Sequence, residues 1–193
     1  SSRVDLWVLE HTLRFLAAHR ERLPGQRFAI NLAPSTVCRV QFPLEVNRLL
    51  VKYAIEPWQL IFEVTECSTF CNAEQALHIL RQLQKMGVRI AIDDFGTGYA
   101  SYARLKSVDA DILKIDGSFI RNIVNNSLDY QIVASICHLA RMKKMLVVAE
   151  YVESEEIRSA VHALGIDYVQ GYLIGRPAPL ESLLEAEAST ADA

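Results

Sequence analysis

The chain has no surplus of basic charge: twenty lysines and arginines face twenty-three aspartates and glutamates, a formal charge of −3 over 193 residues. That balance argues against a general phosphate-coating surface of the kind carried by duplex-binding proteins, and no nucleic-acid polymer is expected as a partner. An anionic substrate would have to be met by local charge, from bound metal or a few basic side chains. No apolar run approaches the roughly 20 residues needed to span a bilayer, and the N-terminus lacks a signal-peptide pattern. This segment is expected to be soluble, cytoplasmic and free of membrane contact, whether or not a larger parent protein is membrane-attached. The four cysteines, Cys38, Cys67, Cys71 and Cys137, include no C-x-x-C pair and no histidine in zinc spacing, so reduced thiols are expected. The five histidines fall on presumed helices, and no serine stands in a defensible His-Asp arrangement, which disfavours nucleophilic catalysis.

What is present is apolar content of 51%, enough for one sizeable core and one domain. Val4 to Ala18 has broadly helical spacing and stops at Pro24-Gly25; Arg27 to Asn31 is a short strand signal; Leu44 to Tyr53 reads as helix. Leu60 to Glu66 is strand-like, Ala73 to Met86 is an amphipathic helix ended by Gly87, and Arg89 to Asp94 is the next strand. Tyr102 to Leu105 reads as a short helix, Ile112 to Ile115 as a strand, Asn122 to Lys143 as a long helix, and Met145 to Ala149 as a fifth strand. Ser154 to Leu164 is helical, Tyr168 to Gln170 is a brief sixth strand, and 185–193 is expected to be a disordered tail. Alternation of strand and helix argues a parallel sheet with crossover helices, either an open doubly wound sheet or a closed barrel.

The stretch Arg89 to Ser101, R-I-A-I-D-D-F-G-T-G-Y-A-S, ends a strand in two carboxylates. Adjacent aspartates in an enclosed site stay ionised only beside cations, most simply a divalent metal. A solvated Asp-Asp turn is the bland alternative, and the rest of the chain decides against it. Asn31, Glu63, Asp93, Lys114, Glu150 and Gln170 each sit at or near the end of a different strand, two places after Ala29, Ile61, Ala91, Ile112, Val148 and Tyr168. Alternation puts each pair on one face. In a barrel the six polar groups converge at one mouth, whereas an open sheet strings them along a line; convergence is the economical reading. Six strands, however, do not close the usual eight-stranded barrel.

Six stretches then carry a family pattern: I-N-L-A at Ile30 to Ala33, F-E-V-T-E at Phe62 to Glu66, I-D-D-F-G-T-G-Y-A-S at Ile92 to Ser101, L-K-I-D-G-S-F-I at Leu113 to Ile120, V-A-E-Y-V-E at Val148 to Glu153 and Q-G-Y-L-I-G-R-P at Gln170 to Pro177. In order and in register, from about Val4 to Leu184, they resemble the EAL domain family of bacterial phosphodiesterases that open cyclic di-GMP. The resemblance implies an α/β fold, a TIM-like (β/α)8 barrel with one antiparallel strand, represented here by about six strand-helix units within a domain at 1–184. It also implies that the family's first two strands, with the E-A-L glutamate, lie upstream of Ser1.

By the same resemblance, Asn31, Glu63, Asp93 and Asp94 bind two Mg²⁺ or Mn²⁺ ions, with Asp93 shared between them. Lys114 orients the attacking water and offsets phosphate charge, a structural ion pair with Asp116 or Asp111 being its bland alternative. Glu150 holds or deprotonates the water, and Gln170 and Glu153 belong to the metal or water shell. Glu66 supports the loop containing Phe95, Gly96, Thr97, Gly98 and Ser101. Ser101, Arg176 and Pro177 are weaker substrate-binding candidates.

Tyr151 stands where the family commonly has glycine, but large aromatic residues occur there in members too, so no inactivation is expected; Ala100 stands where a serine is common, and the loss of that hydrogen-bonding group is expected to loosen loop or substrate contacts. Trp7 and Trp58 are expected in core or capping positions. The activity implied is hydrolysis of cyclic di-GMP to linear pGpG, by a homodimer fused upstream to a sensor or GGDEF domain. The alternative is a non-catalytic cyclic di-GMP receptor, and a Schiff-base lyase using Lys114 is disfavoured because its carboxylate neighbours hold the lysine charged. Residues 1–193 alone are expected to be weak or inactive without the upstream strands.

Overall fold

A computed structural model describes residues 1–65, 73–96 and 109–184. The short helix expected at Tyr102 to Leu105 and the tail at 185–193 lie outside the described residues. The elements run α1 (Ser2–Ala18), β1 (Phe28–Asn31), α2 (Pro34–Val37), α3 (Phe42–Tyr53), a 3-10 turn (Pro57–Gln59), β2 (Leu60–Thr65), α4 (Ala73–Lys85) and β3 (Arg89–Phe95). They continue with β4 (Ile112–Ile115), α5 (Gly117–Ile120), α6 (Ser127–Met142), β5 (Leu146–Ala149), α7 (Glu155–Ala163) and β6 (Tyr168–Val169).

All five strand pairs are parallel, and the strands lie in the sheet in their order along the chain, β1 to β6. That order has no reversal, so it is the order of a barrel wall and not of a doubly wound sheet, whose halves run in opposite directions from a switch point. The sheet also curls. In a flat sheet β2 and β5 would stand about 14 Å apart, yet the Lys114 ammonium lies 3.1 Å from Glu63 of β2 and 3.0 Å from the glutamate following β5, Glu150. The architecture is a curled half-barrel of six parallel strands with helices outside, and β1 and β6 are its two edges among the described residues.

The core lies between the outer face of the sheet and the helices, in two clusters. One joins Leu9, Leu13 and Leu16 of α1, Val46 and Leu50 of α3 and Ile79, Leu80 and Leu83 of α4 to Leu60, Phe62 and Ile90. Phe42 and Phe62 meet there as a tilted ring pair with centroids 5.5 Å apart. The other joins Val133, Ile136, Cys137 and Ala140 of α6 and Val161 of α7 to Leu113, Ile115, Val147 and Ala149. Strand starts are tied by aspartates: Asp111, just before β4, accepts the Ile90 N–H at 2.8 Å, and Asp167, just before β6, accepts the Val147 N–H at 2.7 Å. Each bond satisfies a donor at the start of the neighbouring strand and sets where that strand begins.

Several boundaries differ from the sequence reading. The long helix begins at Ser127 and not at Asn122, because Asn126 adopts an extended backbone and its side chain accepts from the N–H groups of Leu128 and Asp129. Trp7 and Trp58 are not core residues: Trp7 is 65% exposed and stacks on His11, and Trp58 is 39% exposed with the Arg27 guanidinium over its ring. Both gain contact with a polar neighbour instead of burial. Cys137 is a buried free thiol and Cys38 a half-buried one; Cys67 and Cys71 lie outside the described residues.

Candidate active site

The strand register explains how separate strands deliver polar groups to one place. Asn31 is level with Glu63, but Glu63 is level with Ala91, so Asp93 stands one pleat further along. Likewise Lys114 is level with Val148, and Glu150 follows one pleat beyond. This stagger is the shear of tilted barrel strands, and it places the polar positions on a ring around the mouth at the strands' C-terminal ends.

Alternation alone would send Asp93 and Asp94 to opposite faces. The structure corrects that with two local devices. Ile92 is level with Leu113 and Phe95 with Ile115, so three steps on β3 match two on β4, a bulge. Asp94 occupies the left-handed region at φ 54°. Bulges re-aim side chains, and here an oxygen of Asp93, one of Asp94 and one of Glu150 all lie within 4.8 Å of one another. Ligands around one divalent ion at 2.0 to 2.6 Å stand about 3 to 5 Å apart, so these carboxylates fit such an ion.

Lys114 is the hub of the site. Its side chain is 6% exposed, and its ammonium lies 2.8 Å from Asp93 Oδ1, 3.1 Å from Glu63 Oε2 and 3.0 Å from Glu150 Oε1. The contact with Asp93 is short but poorly directed for a hydrogen bond, which leaves that buried oxygen with capacity for another cation. Burial opposes the lysine's charge, but Asp93, Glu63 and Glu150 outweigh it and hold the pKa above the usual lysine range. The local ion pair considered from sequence is not formed: Asp116 caps α5 by accepting the Ser118 N–H, and Asp111 is engaged with Ile90 and Gln84.

The carboxyls respond to the same enclosure. Burial pushes Glu63 up, with Asp93 adding to the shift while Lys114 and a hydrogen bond from Asn31 oppose it. Burial also raises Glu150, again opposed by Lys114, and raises Asp94, where Asp93 and Asp116 add repulsion. One ammonium among Glu63, Asp93 and Glu150, with Asp94 beside them, leaves an excess of negative charge that a divalent cation would balance.

Other residues singled out from sequence are placed less centrally. Asn31, at the exposed end of β1, reaches Glu63 through its side chain. Gln170 is exposed and acts here through its backbone, donating to Ala149 O and accepting from Val152 N–H. Glu153 is exposed and makes no hydrogen bond or ion pair among the described residues. Arg176 and Pro177 are exposed, and the Arg176 guanidinium lies 4.6 Å from the centre of the Tyr172 ring. Phe95 is buried, and Gly96 has φ 109° with the Phe119 ring against it. Glu66, Thr97, Gly98, Ala100 and Ser101 lie outside the described residues.

Asp5 is a supporting residue that sequence reasoning missed. Buried in the first turn of α1, it accepts the Ala33 N–H at 2.8 Å and the Thr36 hydroxyl, fixing the turn that leaves β1 just after Asn31. An aspartate in a helix's first turn ordinarily signals only a favourable dipole interaction, so its sequence position carried no hint of this contact 28 residues away.

A curled wall of parallel strands with carboxylates and one buried lysine at its C-terminal mouth is the arrangement of a barrel fold with its polar cluster at the end where such folds carry their sites. The EAL domain family matches residues 1–177, and the chain belongs to that family. It is 70% identical over 188 residues to the cyclic di-GMP phosphodiesterase PdeF of Escherichia coli, an alignment covering 97% of this chain and 25% of that protein. The chain thus spans about a quarter of the length of this curated relative. Among solved structures, a PaMucR phosphodiesterase in a c-di-GMP complex is similar with TM-score 0.85 and 38% identity, over 94% of this chain and 74% of that one. The EAL domain of Mycobacterium smegmatis DcpA is similar with TM-score 0.89 and 29% identity, over 95% of this chain and 83% of that one.

Proposed function

We propose that the domain to which residues 1–184 belong hydrolyses cyclic di-GMP to linear pGpG with the help of divalent metal, two Mg²⁺ or Mn²⁺ ions. The observation that carries the reading is the convergence of Asp93, Asp94 and Glu150 within 4.8 Å beside the buried Lys114. Similarity to relatives named as cyclic di-GMP phosphodiesterases supplies the substrate. Asn31, Glu63, Asp93 and Asp94 would hold the metal, since hard divalent ions take carboxylate and amide oxygens. Such ions, when bound, lower the pKa of water and neutralise phosphoryl oxygens.

The chain's own groups then divide the remaining work. Glu150 accepts the proton of the attacking water, whose oxygen bonds to phosphorus as the P–O3′ bond of the ring breaks; a proton from solvent completes the departing 3′-hydroxyl. Lys114, kept charged by its neighbours, donates hydrogen bonds to the water and to a phosphoryl oxygen, offsetting the charge that builds in the transition state. Gln170 and Glu153 serve the outer water shell, Arg176 and Pro177 line the substrate's approach, and Glu66 with the segment from Phe95 to Ser101 supports the metal ligands.

The protein is expected to act as a cytoplasmic homodimer with a sensor or GGDEF domain upstream. No described helix is long and apolar enough to cross a membrane. Incubation of cyclic di-GMP and Mg²⁺ or Mn²⁺ with the protein extended about 60 residues upstream, resolved by chromatography, is the test. Appearance of pGpG supports the reading; tight binding without turnover would replace it with the receptor function.

A further inference from the structure

We propose that Tyr151, Arg121 and Gly117 form a clasp on the rim of the barrel mouth, between the adjacent ends of β4 and β5, that fixes the direction of Glu150, making Tyr151 and Arg121 positioning residues for the hydrolytic reaction; this rests on the role given to Glu150 above. Tyr151 follows Glu150 directly and sits in the left-handed region at φ 55°. Residues other than glycine are strained there, and Tyr151 is 44% exposed, so burial does little to offset the strain. The compensation is lateral. The Arg121 guanidinium lies 4.1 Å from the centre of the Tyr151 ring, a close cation–aromatic contact. The ring rests at the same time on Gly117, where an added Cβ would run into the tyrosine and come within 2.8 Å of its Cβ.

The position of this contact gives it consequences. Gly117 and Arg121 bracket α5, which begins three residues after Lys114, whereas Tyr151 extends from the end of β5. The clasp therefore bridges the two strand ends that carry Lys114 and Glu150, whose side chains meet at 3.0 Å. On the other side, the Val152 N–H donates to Gln170 O at 3.0 Å and Val152 O accepts from Leu173 N–H at 3.2 Å. Glu150 to Val152 is thus held from both flanks, toward β4 by an aromatic ring and toward β6 by backbone hydrogen bonds. A glycine at 151 would remove the strain but also the lateral hold, leaving the direction of Glu150 set from one side.

The clasp has a signature that general stability does not. Tyr151→Gly and Arg121→Ala should each lower kcat about tenfold while changing KM for cyclic di-GMP less than about twofold, the pattern of a displaced reacting group with intact binding. Tyr151→Phe should retain kcat, because the tyrosine hydroxyl makes no hydrogen bond among the described residues. Gly117→Ala should act like Tyr151→Gly, and adding it to Tyr151→Gly should cause no further loss, since the atoms it strikes are gone. Amide hydrogen exchange of Val152 should be faster in Tyr151→Gly and Arg121→Ala than in the parent or Tyr151→Phe. Parent-like kcat and exchange in Tyr151→Gly, or independent losses in the double variant, would overturn the clasp. The exchange comparison needs no turnover, so an upstream-extended parent without hydrolysis would refute the proposed function and still leave the clasp decided.

Discussion

Asp93 and Asp94 are neighbours on a strand, yet a carboxylate oxygen of each lies within 4.8 Å of the other and of Glu150. A bulge against β4 and a left-handed backbone at Asp94 bring this about, and both act against the repulsion of like charges. The arrangement is unfavourable without a cation. Asp94→Gly removes the backbone strain and one charge, so the metal-free protein should be at least as stable as the parent by thermal melting. Mn²⁺ affinity, measured by calorimetry, should fall about tenfold or more. Unchanged affinity would remove Asp94 from the metal set.

Lys114 supplies the positive charge against which Glu63, Asp93 and Glu150 are packed. Lys114→Met leaves three enclosed carboxylates without their partner and should destabilise the metal-free protein by about 3 to 5 kcal/mol in urea unfolding. Divalent metal should restore part of that loss, because it provides charge at the same place. Activity should be lost whether or not stability returns.

The carboxyls of Glu63, Asp94 and Glu150 titrate above their ordinary range, chiefly because of burial. Between the unfolded values near about 4 and the raised folded values, the folded chain binds more protons than the unfolded one, so stability rises as pH falls through the folded pKa values. With chelator present, the melting temperature should increase from pH 7 toward pH 5, and Glu63→Gln with Glu150→Gln should flatten that slope. Divalent metal should reverse it, since metal competes with protons for the same oxygens.

Gly96 adopts φ 109°, and a Cβ there would strike the Phe119 ring. Gly96→Ala should therefore disturb the turn after Asp94 and reduce hydrolysis about tenfold. Gly25, also left-handed at φ 79° but with nothing near its Cβ position, is the control: Gly25→Ala should lose about 1 kcal/mol of stability and no activity.

Strand alternation made the wall of the barrel legible. Ile112–Ile115 falls on its expected bounds, Leu60–Thr65 and Leu146–Ala149 end within a residue of theirs, and the polar residue at each strand end was visible as a break in an apolar run. The detailed geometry was not legible, because it depends on backbone choices that leave little mark on composition. Nothing in D-D-F announces a bulge, and Tyr151 would not be placed at positive φ from its identity. Lys114 looked equally ready to pair with Asp111 or Asp116, its neighbours in sequence; its actual partners are 51 residues before it in Glu63, 21 before it in Asp93 and 36 after it in Glu150. Trp7 and Trp58 misled because large apolar residues are usually buried, whereas these stand on exposed faces of α1 and of the 3-10 turn.

The most direct test of the central claim is cyclic di-GMP hydrolysis with Mg²⁺ or Mn²⁺ by a protein extended about 60 residues upstream of this chain, compared with its Glu63→Ala variant. The expected result is conversion to pGpG that stops when chelator is added and is absent in the variant. Turnover that survives both chelation and loss of Glu63 would contradict a metal-assisted mechanism at this site.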